Sequence, residues 1–531
     1  PSTSVASLNA AMWNDVDGSK DASMGDTLTM TFSEAVSVIT IAVLPPPTLS
    51  PTTDFSLAVA GDSFGTNASW VIASTNSSNI VITLGAAPVL HMTGTFSPSN
   101  VAIGSPSGIE VKSGTTIMTA SSSLAVAHGQ MKDVGSNVMP GFFPSADMVE
   151  ARGNFPATVM NDGRVLVTGG MKNGTQGLTF AYKNETYDPV ANAWTQVTGN
   201  YMATGGYTIG RFDHTQTLLP NGKVLIAGGY GIRSVTPPVA PSTTPTPVLG
   251  ELSSAFLFNP VTNLFELAGP MNYRRESHYA TLLPNGQVLI SGGFSSLMNN
   301  NVGGSLPACE LYDPTTNVFT TISTNGNDMK VAREAGTAHV VNGNVLFAGG
   351  HAYGVTAAAT TTLVRFNDLP NEVMDMTTKT STVTTVRGLY RRYHGSVDVA
   401  GGFLLIGGTD LTTSIKSIEK FDATAGTYTA VGNLNAARSR HGAAKVGNDL
   451  LVIGGVTMTM GTGGSQTDVM SGELYNTTAN VSESYQLVHG RNSFRTVTLQ
   501  SGRVLAIGGF EGGSAASAGT AVQGTEFFAK P

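Results

Sequence analysis

Short apolar runs recur along the chain, and each of them ends in a pair of glycines. The first run is VLVTGG, and later runs such as VLISGG and VLAIGG differ from it by few substitutions. The second glycine of each pair stands at Gly170, Gly229, Gly293, Gly350, Gly408, Gly455 and Gly509. Seven copies of one pattern predict a repeat architecture, in which each repeat is one small unit of secondary structure.

Turn residues and aromatic residues mark the strands of each repeat. Turns such as NDGR (161–164) and PNGK (220–223) precede the apolar runs, and they supply the positive φ that a two-residue hairpin requires. We therefore expect strand a before the turn and strand b after it. A third strand, c, follows a variable loop in the segments ETYDP (185–189), FLFNP (256–260), ELYDP (310–314), RFND (365–368), EKFD (419–422), ELYN (473–476) and EFF (526–528). A fourth strand, d, carries an aromatic residue at Trp194, Phe265, Phe319 and Tyr428. Four antiparallel strands are typical of one propeller blade.

This combination of paired glycines, an E-x-[YF]-[DN]-P strand and a later aromatic residue resembles the repeat signature of the kelch family. The resemblance covers roughly residues 138 to 531. It implies an all-β, seven-bladed kelch-type propeller, and we expect this domain to span residues 129–531. Blade seven stops at Pro531 before a fourth strand, so we expect a strand from about residues 138–149 to complete it and close the ring.

A second domain is predicted over residues 1–128. The segments TLTMTFSEAV (27–36) and NIVITL (79–84) alternate apolar and polar residues, which places Leu28 and Phe32 on one face of the first strand. Several such strands favour a β-sandwich. The stretch NDVDGSKDASMGDTLTMTFSEAV resembles the opening of bacterial immunoglobulin-like domains of secreted and surface proteins, which implies an immunoglobulin-like β-sandwich and an extracellular location.

Charge and apolar content narrow the classes of partner. The chain has 28 basic and 35 acidic residues and a net charge of −7, without a basic run, so we do not expect nucleic acid as a partner. The longest apolar stretch, at 36–44, is too short to span a membrane. The chain starts at Pro1 rather than Met, and we expect a mature exported protein whose targeting peptide has been removed. The single cysteine, Cys309, excludes an internal disulfide.

An arginine opens strand a in every repeat. These residues are Arg152, Arg211, Arg275, Arg333, Arg391, Arg438 and Arg491. Because strand a lines the channel of a propeller, we expect the arginines around one mouth of it, where guanidinium groups can bind carboxylate or sulfate. The alternative is a structural clamp in which each arginine bonds loop carbonyls or a strand-c glutamate. The candidate glutamates are Glu185, Glu310, Glu419, Glu473 and Glu526.

Histidines follow three residues after the arginine in four repeats, at His214, His278, His394 and His441. Converging imidazoles can bind a metal, but four blades rarely bring them close enough, so we expect the histidines to pack beneath the arginines. His394 and His441 join the arginines as predicted ligand-binding residues.

Two further motifs suggest metal chemistry. Tyr393-His394, in RRYHG, resembles the Tyr-His pair that ligates copper in galactose oxidase, but Cys309 lies in strand c and the start of blade one has no tyrosine, so we expect no copper site. Asp15, Asp17 and Asp21 form D-x-D-G-x-x-D, whose oxygen atoms can bind calcium. The alternative is a solvated acidic turn, and no cofactor other than calcium is expected.

Loop lengths give the functional expectation. The loops after the glycine pairs are long, as at 231–251, 295–308, 457–472 and 511–524, and they emerge on one face of the propeller. Their Ser, Thr, Gly, Asn and Pro residues favour binding of glycan or protein over catalysis. We therefore expect a non-catalytic bacterial adhesion protein that is secreted or on the cell surface. Two alternatives remain open: a propeller enzyme acting on carbohydrate, such as a sugar isomerase or a degenerate copper oxidase relative, and a homo-oligomeric subunit of an extracellular filament or layer joined through the leading domain.

Overall fold

The structure is a computed structural model, and the chain divides into two compact units. One unit contains Pro1–Pro144 and Glu526–Pro531, and the other contains Ser145–Thr525. The structure describes residues 8–14, 27–32, 36–38, 55–57, 69–72, 79–83, 100–103, 109–111, 124–125, 127–128, 141–173, 179–198, 210–236, 246–298, 302–323, 328–356, 359–366, 369–410, 412–459, 465–487, 489–512 and 519–529.

The leading residues form short strands, as alternation predicts. Their bounds are Leu8–Asn14, Thr27–Phe32, Val36–Val38, Phe55–Leu57, Ser69–Ile72, Asn79–Thr83, Asn100–Ile103, Ile109–Val111, Leu124–Ala125 and Ala127–His128. The two strands singled out in the sequence, Thr27–Phe32 and Asn79–Thr83, pair antiparallel with Leu28 opposite Ile82. The immunoglobulin-like character of residues 1–128 stays a prediction.

Seven four-stranded sheets form the blades among the described residues of the repeat region, and each has the predicted order a-b-c-d. Their strands are Ala157–Val159, Val165–Val167, Glu185–Asp188 and Ala193–Gln196 in blade one; Thr215–Leu218, Val224–Ala227, Ala255–Asn259 and Leu264–Leu267 in blade two; Tyr279–Leu282, Val288–Ser291, Cys309–Asp313 and Val318–Thr321 in blade three; Thr337–Val341, Asn344–Ala348, Glu372–Asp375 and Thr380–Val383 in blade four; Gly395–Val399, Gly402–Ile406, Ser417–Asp422 and Thr427–Asn433 in blade five; Gly442–Val446, Asp449–Ile453, Ser471–Asn476 and Val481–Gln486 in blade six; and Arg495–Thr498, Val504–Ile507, Thr525–Ala529 and Gly141–Ser145 in blade seven. The prediction of an all-β, seven-bladed propeller is confirmed.

The apolar core lies between neighbouring blades. Strand b is buried along its length, and its side chains pack against those of the next blade. Leu225 and Ala227 of blade two, for example, form one buried cluster with Val288 and Ile290 of blade three. A single blade cannot cover its own apolar faces, so the repeats are stable only when they stack side by side.

The glycine pairs join each blade to the next. The amide of Gly229 donates to the carbonyl of Arg275 at 2.9 Å, and Gly509 donates in the same way to Arg152 at 2.8 Å, which links blade seven to blade one. Gly228 has a φ of 63°, and a Cβ on it would lie 2.7 Å from the Arg275 carbonyl oxygen. Only glycine accommodates that conformation and that close approach. Equivalent bonds occur in the pairs Gly170–Arg211, Gly293–Arg333, Gly350–Arg391, Gly408–Arg438 and Gly455–Arg491.

Strand c of blade four differs from the prediction. The segment 365–368 was expected to form it, but Ala359–Phe366 pairs instead with Ala352–Thr356 as a hairpin in the loop after the glycines. The blade is completed by Glu372–Asp375. The prediction relied on an aromatic residue, whereas this strand carries Met374, which is fully buried in the corresponding core.

Hairpins extend from the loops that follow the glycine pairs. They are formed by Met171–Asn173 with Thr179–Phe180, Tyr230–Thr236 with Thr246–Glu251, Phe294–Ser295 with Gly304–Ser305, Ala352–Thr356 with Ala359–Phe366, Val456–Met458 with Gln466–Asp468, and Phe510–Glu511 with Thr520–Ala521; Arg211–Phe212 pairs with the second of these. These hairpins build up the long-loop face. In the part of the chain that the structure describes, no helix is long and apolar enough to cross a membrane.

Candidate functional site at the channel mouth

The seven arginines that open strand a are completely buried. In blade three, Arg275 Nη1 donates to the carbonyl oxygens of Gly292 and Ala308, both at 2.9 Å. Its Nη2 donates to Glu310 Oε1 at 2.9 Å. Each of the seven arginines donates in the same way to the carbonyl of the first glycine of its own blade.

A strand-c glutamate holds both the arginine and the chain that enters the blade. Glu310 accepts from the backbone amides of Asn272 at 2.5 Å and Tyr273 at 3.1 Å, in addition to Arg275. The corresponding buried ion pairs are Arg152–Glu185, Arg333–Glu372, Arg391–Glu419 and Arg438–Glu473. In blade two, where Phe256 replaces the glutamate, Arg211 donates to the Ser254 carbonyl and hydroxyl at 3.1 and 2.9 Å, and its Cζ lies 5.2 Å from the centroid of the Phe256 ring.

These contacts correct the expectation that the arginines stand at the mouth of the channel. These buried side chains point into their own blades, where glycine carbonyl oxygens accept hydrogen bonds from their Nη1 atoms; they are Arg152, Arg211, Arg275, Arg333, Arg391, Arg438 and Arg491. The geometry is that of the structural clamp, the alternative that the sequence left open. The extra glutamate, Glu372, was missed because strand c of blade four was misplaced.

The histidines lie between neighbouring blades. His278 Nε2 is 3.0 Å from Thr215 Oγ1 of the preceding blade, and His394 Nε2 is 3.2 Å from Thr337 Oγ1. Burial lowers the pKa of His278 and of His441 to about 3, so both rings are neutral at physiological pH. His394 and His441 also line the central cavity described below.

A ring of seven residues surrounds the channel between the arginine and histidine positions. Its members are Asn154, Asp213, Ser277, Ala335, Tyr393, Arg440 and Ser493, and we call them the mouth ring. All seven have φ between 51° and 55°. Left-handed backbone is uncommon in residues other than glycine, and its repetition in every blade marks a specific structural feature.

Backbone hydrogen bonds run around the mouth ring. Among the described residues, six amides of the ring donate to the carbonyl of the preceding member: Asp213 to Asn154 (3.2 Å), Ser277 to Asp213 (2.9 Å), Tyr393 to Ala335 (3.0 Å), Arg440 to Tyr393 (3.0 Å), Ser493 to Arg440 (3.1 Å) and Asn154 to Ser493 (3.0 Å). The backbone is therefore fixed, while the seven side chains are of six kinds. A rigid frame carrying varied polar groups is the usual construction of a binding site.

The mouth ring lines a cavity of about 450 Å³. This volume is within the range of small-molecule binding sites. The long-loop face begins directly beside the ring, because Glu276, Glu334 and Arg392, each one residue before a ring member, form β-bridges with the first residues after the glycine pairs. The cavity therefore opens toward the loops that the sequence identified as the recognition face.

Carboxyl groups occupy one side of the mouth. Burial raises the pKa of Asp213 to about 6, against the opposing effect of Arg495 and Arg440. Burial raises the pKa of Glu276 to about 9, with further contributions from the negative charges of Asp213, Glu251 and Glu334. Burial also raises the pKa of Glu334 to about 7, although a 3.1 Å hydrogen bond from Ser305 opposes the shift. These groups carry less negative charge at neutral pH than ordinary carboxylates do.

Guanidinium groups occupy the other side. The Cζ atoms of Arg392 and Arg440 lie 5.5 and 4.9 Å from the centroid of the Tyr393 ring, which is within the range of cation–π contacts. Arg495 is exposed and lines the cavity, and its Nη1 donates to the Phe494 carbonyl at 3.1 Å. Blades six and seven therefore each contribute a cation to the cavity lining, and Arg392 of blade five lies against Tyr393.

The mouth ring could have been found in the sequence only by an indirect signal. Its residues occupy the second of two variable positions between the arginine, which recurs in all seven repeats, and the position that is histidine in four of them. A search for repeated residues selects the clamp and passes over this position, although variation inside a repeated frame is what a ligand-specific surface requires.

The residues around Tyr393 do not fit a copper centre. The Tyr393 ring lies against two guanidinium groups, and His394 contacts Thr337. Cys309 is buried in strand c of blade three, where burial raises its thiol pKa well above the usual value and keeps it protonated. A copper site needs deprotonated or neutral donors that converge on one point, and these side chains do not provide them.

Calcium binding stays a prediction. Asp15, Asp17 and Asp21 lie outside the described residues, as does most of the leading domain through which a filament would be joined. Within the described ranges, no group of three His, Cys, Asp or Glu side chains is placed to hold a metal ion.

The fold is a β-propeller, and its repeats resemble kelch repeats. No family model matches the chain. A stretch of 220 residues is 27% identical to Kelch-like protein 15 of Danio rerio, covering 39% of this chain and 32% of that protein. The match thus spans about a third of the length of that relative. A solved structure described as a novel fungal alcohol oxidase with catalytic diversity among the AA5 family, in complex with copper, aligns with a TM-score of 0.49 and 15% identity over 74% of this chain and 76% of that one.

Proposed function

We propose that the protein is a non-catalytic extracellular or cell-surface binding protein that recognises a glycan at the channel mouth of its propeller. The observation that carries this proposal is the mouth ring, whose seven side chains vary on a backbone frame that repeats seven times. The cavity it lines combines carboxyl, guanidinium, hydroxyl and amide groups with the ring of Tyr393. Sugars present hydroxyl groups and an apolar ring face, and this mixture of hydrogen-bonding and aromatic groups is suited to them.

The test is binding of the full chain to an array of oligosaccharides, with the Tyr393→Ala variant beside the wild type. We expect wild-type binding to a defined subset of glycans and its loss in Tyr393→Ala. The matched control is Tyr182→Ala, because Tyr182 is 38% exposed and does not line the cavity. Retained glycan binding in Tyr393→Ala, or selective capture of a protein partner in place of any glycan, would contradict the proposal.

A second candidate is a carbohydrate-active enzyme, and the carboxyl groups favour it. Asp213, Glu276 and Glu334 share one side of the mouth and have pKa values of about 6, 9 and 7. Carboxyl groups held protonated near neutral pH can act as general acids toward a bound sugar. Incubation of the chain with the glycans that it binds separates the two candidates: product formation that is lost in Glu334→Gln while binding persists would establish the enzyme.

A further inference from the structure

The three cations of the mouth have no acidic partner of their own. Buried arginines of the clamp form ion pairs with glutamates, but Arg392, Arg440 and Arg495 form none within 4.0 Å among the described residues. Asp213 attracts Arg440 and Arg495 electrostatically but forms an ion pair with neither of them. The positive charge of these three side chains at the channel mouth is therefore not neutralised by an ion pair.

Arg392 has buried hydrogen-bond donors that lack acceptors. Its side chain is 3% exposed, and its Nε and Nη1 atoms have no hydrogen-bond acceptor in the described part of the chain. The hydroxyl of Thr409 is also buried and has no hydrogen-bond partner in the described part of the chain. The backbones of these two residues are joined by hydrogen bonds of 3.1 and 2.9 Å, so the donors belong to neighbouring positions. Buried donors without acceptors are costly, and a ligand that brings an acceptor removes the cost.

The opposite side of the mouth does not repel an anion strongly. The pKa of Glu276 is about 9 and that of Glu334 is about 7, so at neutral pH the first is protonated and the second is about half protonated. A protonated carboxyl donates a hydrogen bond, which suits a sugar hydroxyl. The mouth therefore combines a cationic side with a largely neutral, hydrogen-bonding side.

We propose that Arg440 and Arg495, which line the cavity, form a subsite with the adjacent Arg392 for an oxyanion, a carboxylate or sulfate, carried by an acidic glycan. The inference rests on the proposed function and specifies its ligand class. A guanidinium fork matches the two oxygens of such a group, and the stacking of Arg392 and Arg440 on Tyr393 holds their planes in fixed positions. The sugar ring then lies near Tyr393, with hydroxyl groups toward the carboxyl side of the cavity.

Calorimetric titration of the full chain with three oligosaccharides of similar length tests this subsite: one carrying uronic acids, one carrying sulfate esters and one neutral. We expect the uronate or the sulfated glycan to bind at least about tenfold more tightly than the neutral one, since charge-assisted hydrogen bonds contribute that much. Preference for either anion supports the subsite and identifies which oxyanion it accepts. Equal affinity for all three would overturn it.

Variants of the cavity arginines test whether the anionic group of the glycan binds at the proposed subsite. Arg440→Gln and Arg495→Gln are expected to weaken binding of the preferred acidic glycan about tenfold each, because both side chains line the cavity and neither is fully buried. Arg274→Gln is the control, since Arg274 lines a separate pocket with Tyr273. Wild-type affinity in both mouth variants would overturn the subsite. Neutral glycan binding that Tyr393→Ala abolishes would contradict the subsite but leave the proposed function standing, whereas failure of every glycan to bind would contradict both.

Discussion

At the residue scale, neighbouring positions of one motif have separate roles. Arg275 is buried and bonded within its blade, and Ser277, two residues later, faces the channel. The arginine recurs because every blade needs the same clamp, and the mouth position varies because its side chain has no role in holding the blade. Conservation of a residue type across repeats therefore indicates structure here, and variation indicates the site.

The clamp makes a stability prediction. Glu310→Ala leaves Arg275 buried without its counter-charge and removes the acceptor of two backbone amides, so we expect a loss of about 3–5 kcal/mol in the free energy of unfolding. The measurement is urea denaturation followed by circular dichroism. Glu266→Ala, which removes a largely exposed ion pair with Lys223, is the control and should change stability by less than about 1 kcal/mol. Similar small effects for both variants would show that the clamp is not stabilising.

The carboxyl groups of the mouth make a pH prediction. Asp213 and Glu334 have raised pKa values, about 6 and 7, so both gain protons as the pH falls from 8 to 5.5 and the negative charge facing the subsite decreases. Glu276 is protonated across most of this range, and the three arginines keep their charge. Affinity for an acidic glycan should therefore rise as the pH falls, by several fold.

Asp213→Asn provides the check on that pH dependence. The variant lacks a negative charge that attracts Arg440 and Arg495, so it should bind the acidic glycan more tightly than wild type at pH 8 and show a flatter pH profile. Asp162→Asn is the control, because the exposed Asp162 pairs with Arg164 in the turn of blade one. An affinity that falls on acidification would be inconsistent with this account.

At the element scale, the sequence predicted the number of blades and the order of their strands, but not every strand position or side-chain contact. The glycine pairs and the turn before strand b repeat closely, so the number of blades and the order of strands follow from them. Strand c of blade four could not be placed, because Val364-Arg365-Phe366 carries the expected aromatic residue and Glu372–Asp375 does not. The direction of the arginines also could not be predicted, since periodicity gives the position of a side chain and not the oxygens it meets.

The close approach at the glycine pairs predicts that a side chain there lowers the melting temperature. Gly293→Ala should lower the melting temperature markedly, because its φ is 88° and an added Cβ would lie 2.4 Å from the Glu276 carbonyl oxygen. Gly343→Ala is the matched control, with a φ of 80° and no atom within 4 Å of the added Cβ. The difference between the two variants isolates the close approach between blades from the cost of positive φ. Equal melting temperatures would show that the junction tolerates a side chain.

At the scale of the whole propeller, seven similar blades produce a site that is not symmetric. Asp213 of blade two and Glu334 of blade four line one part of the cavity, and Arg440 and Arg495 of blades six and seven line another, with Arg392 of blade five against the Tyr393 ring. Residues far apart in sequence meet only because Gly509 bonds to Arg152 and Ser493 bonds to Asn154 across the junction of the first and last blades. The polarity of the site is thus a property of the ring and of no single repeat.

The most direct test of the account is a crystal structure of the full chain with a bound acidic oligosaccharide. The account predicts the sugar in the central cavity, with its carboxylate or sulfate within hydrogen-bond distance of Arg440 or Arg495 and its ring near Tyr393. An oligosaccharide bound elsewhere on the propeller, or one seated at the mouth with its anionic group turned toward Glu276 and Glu334, would contradict it.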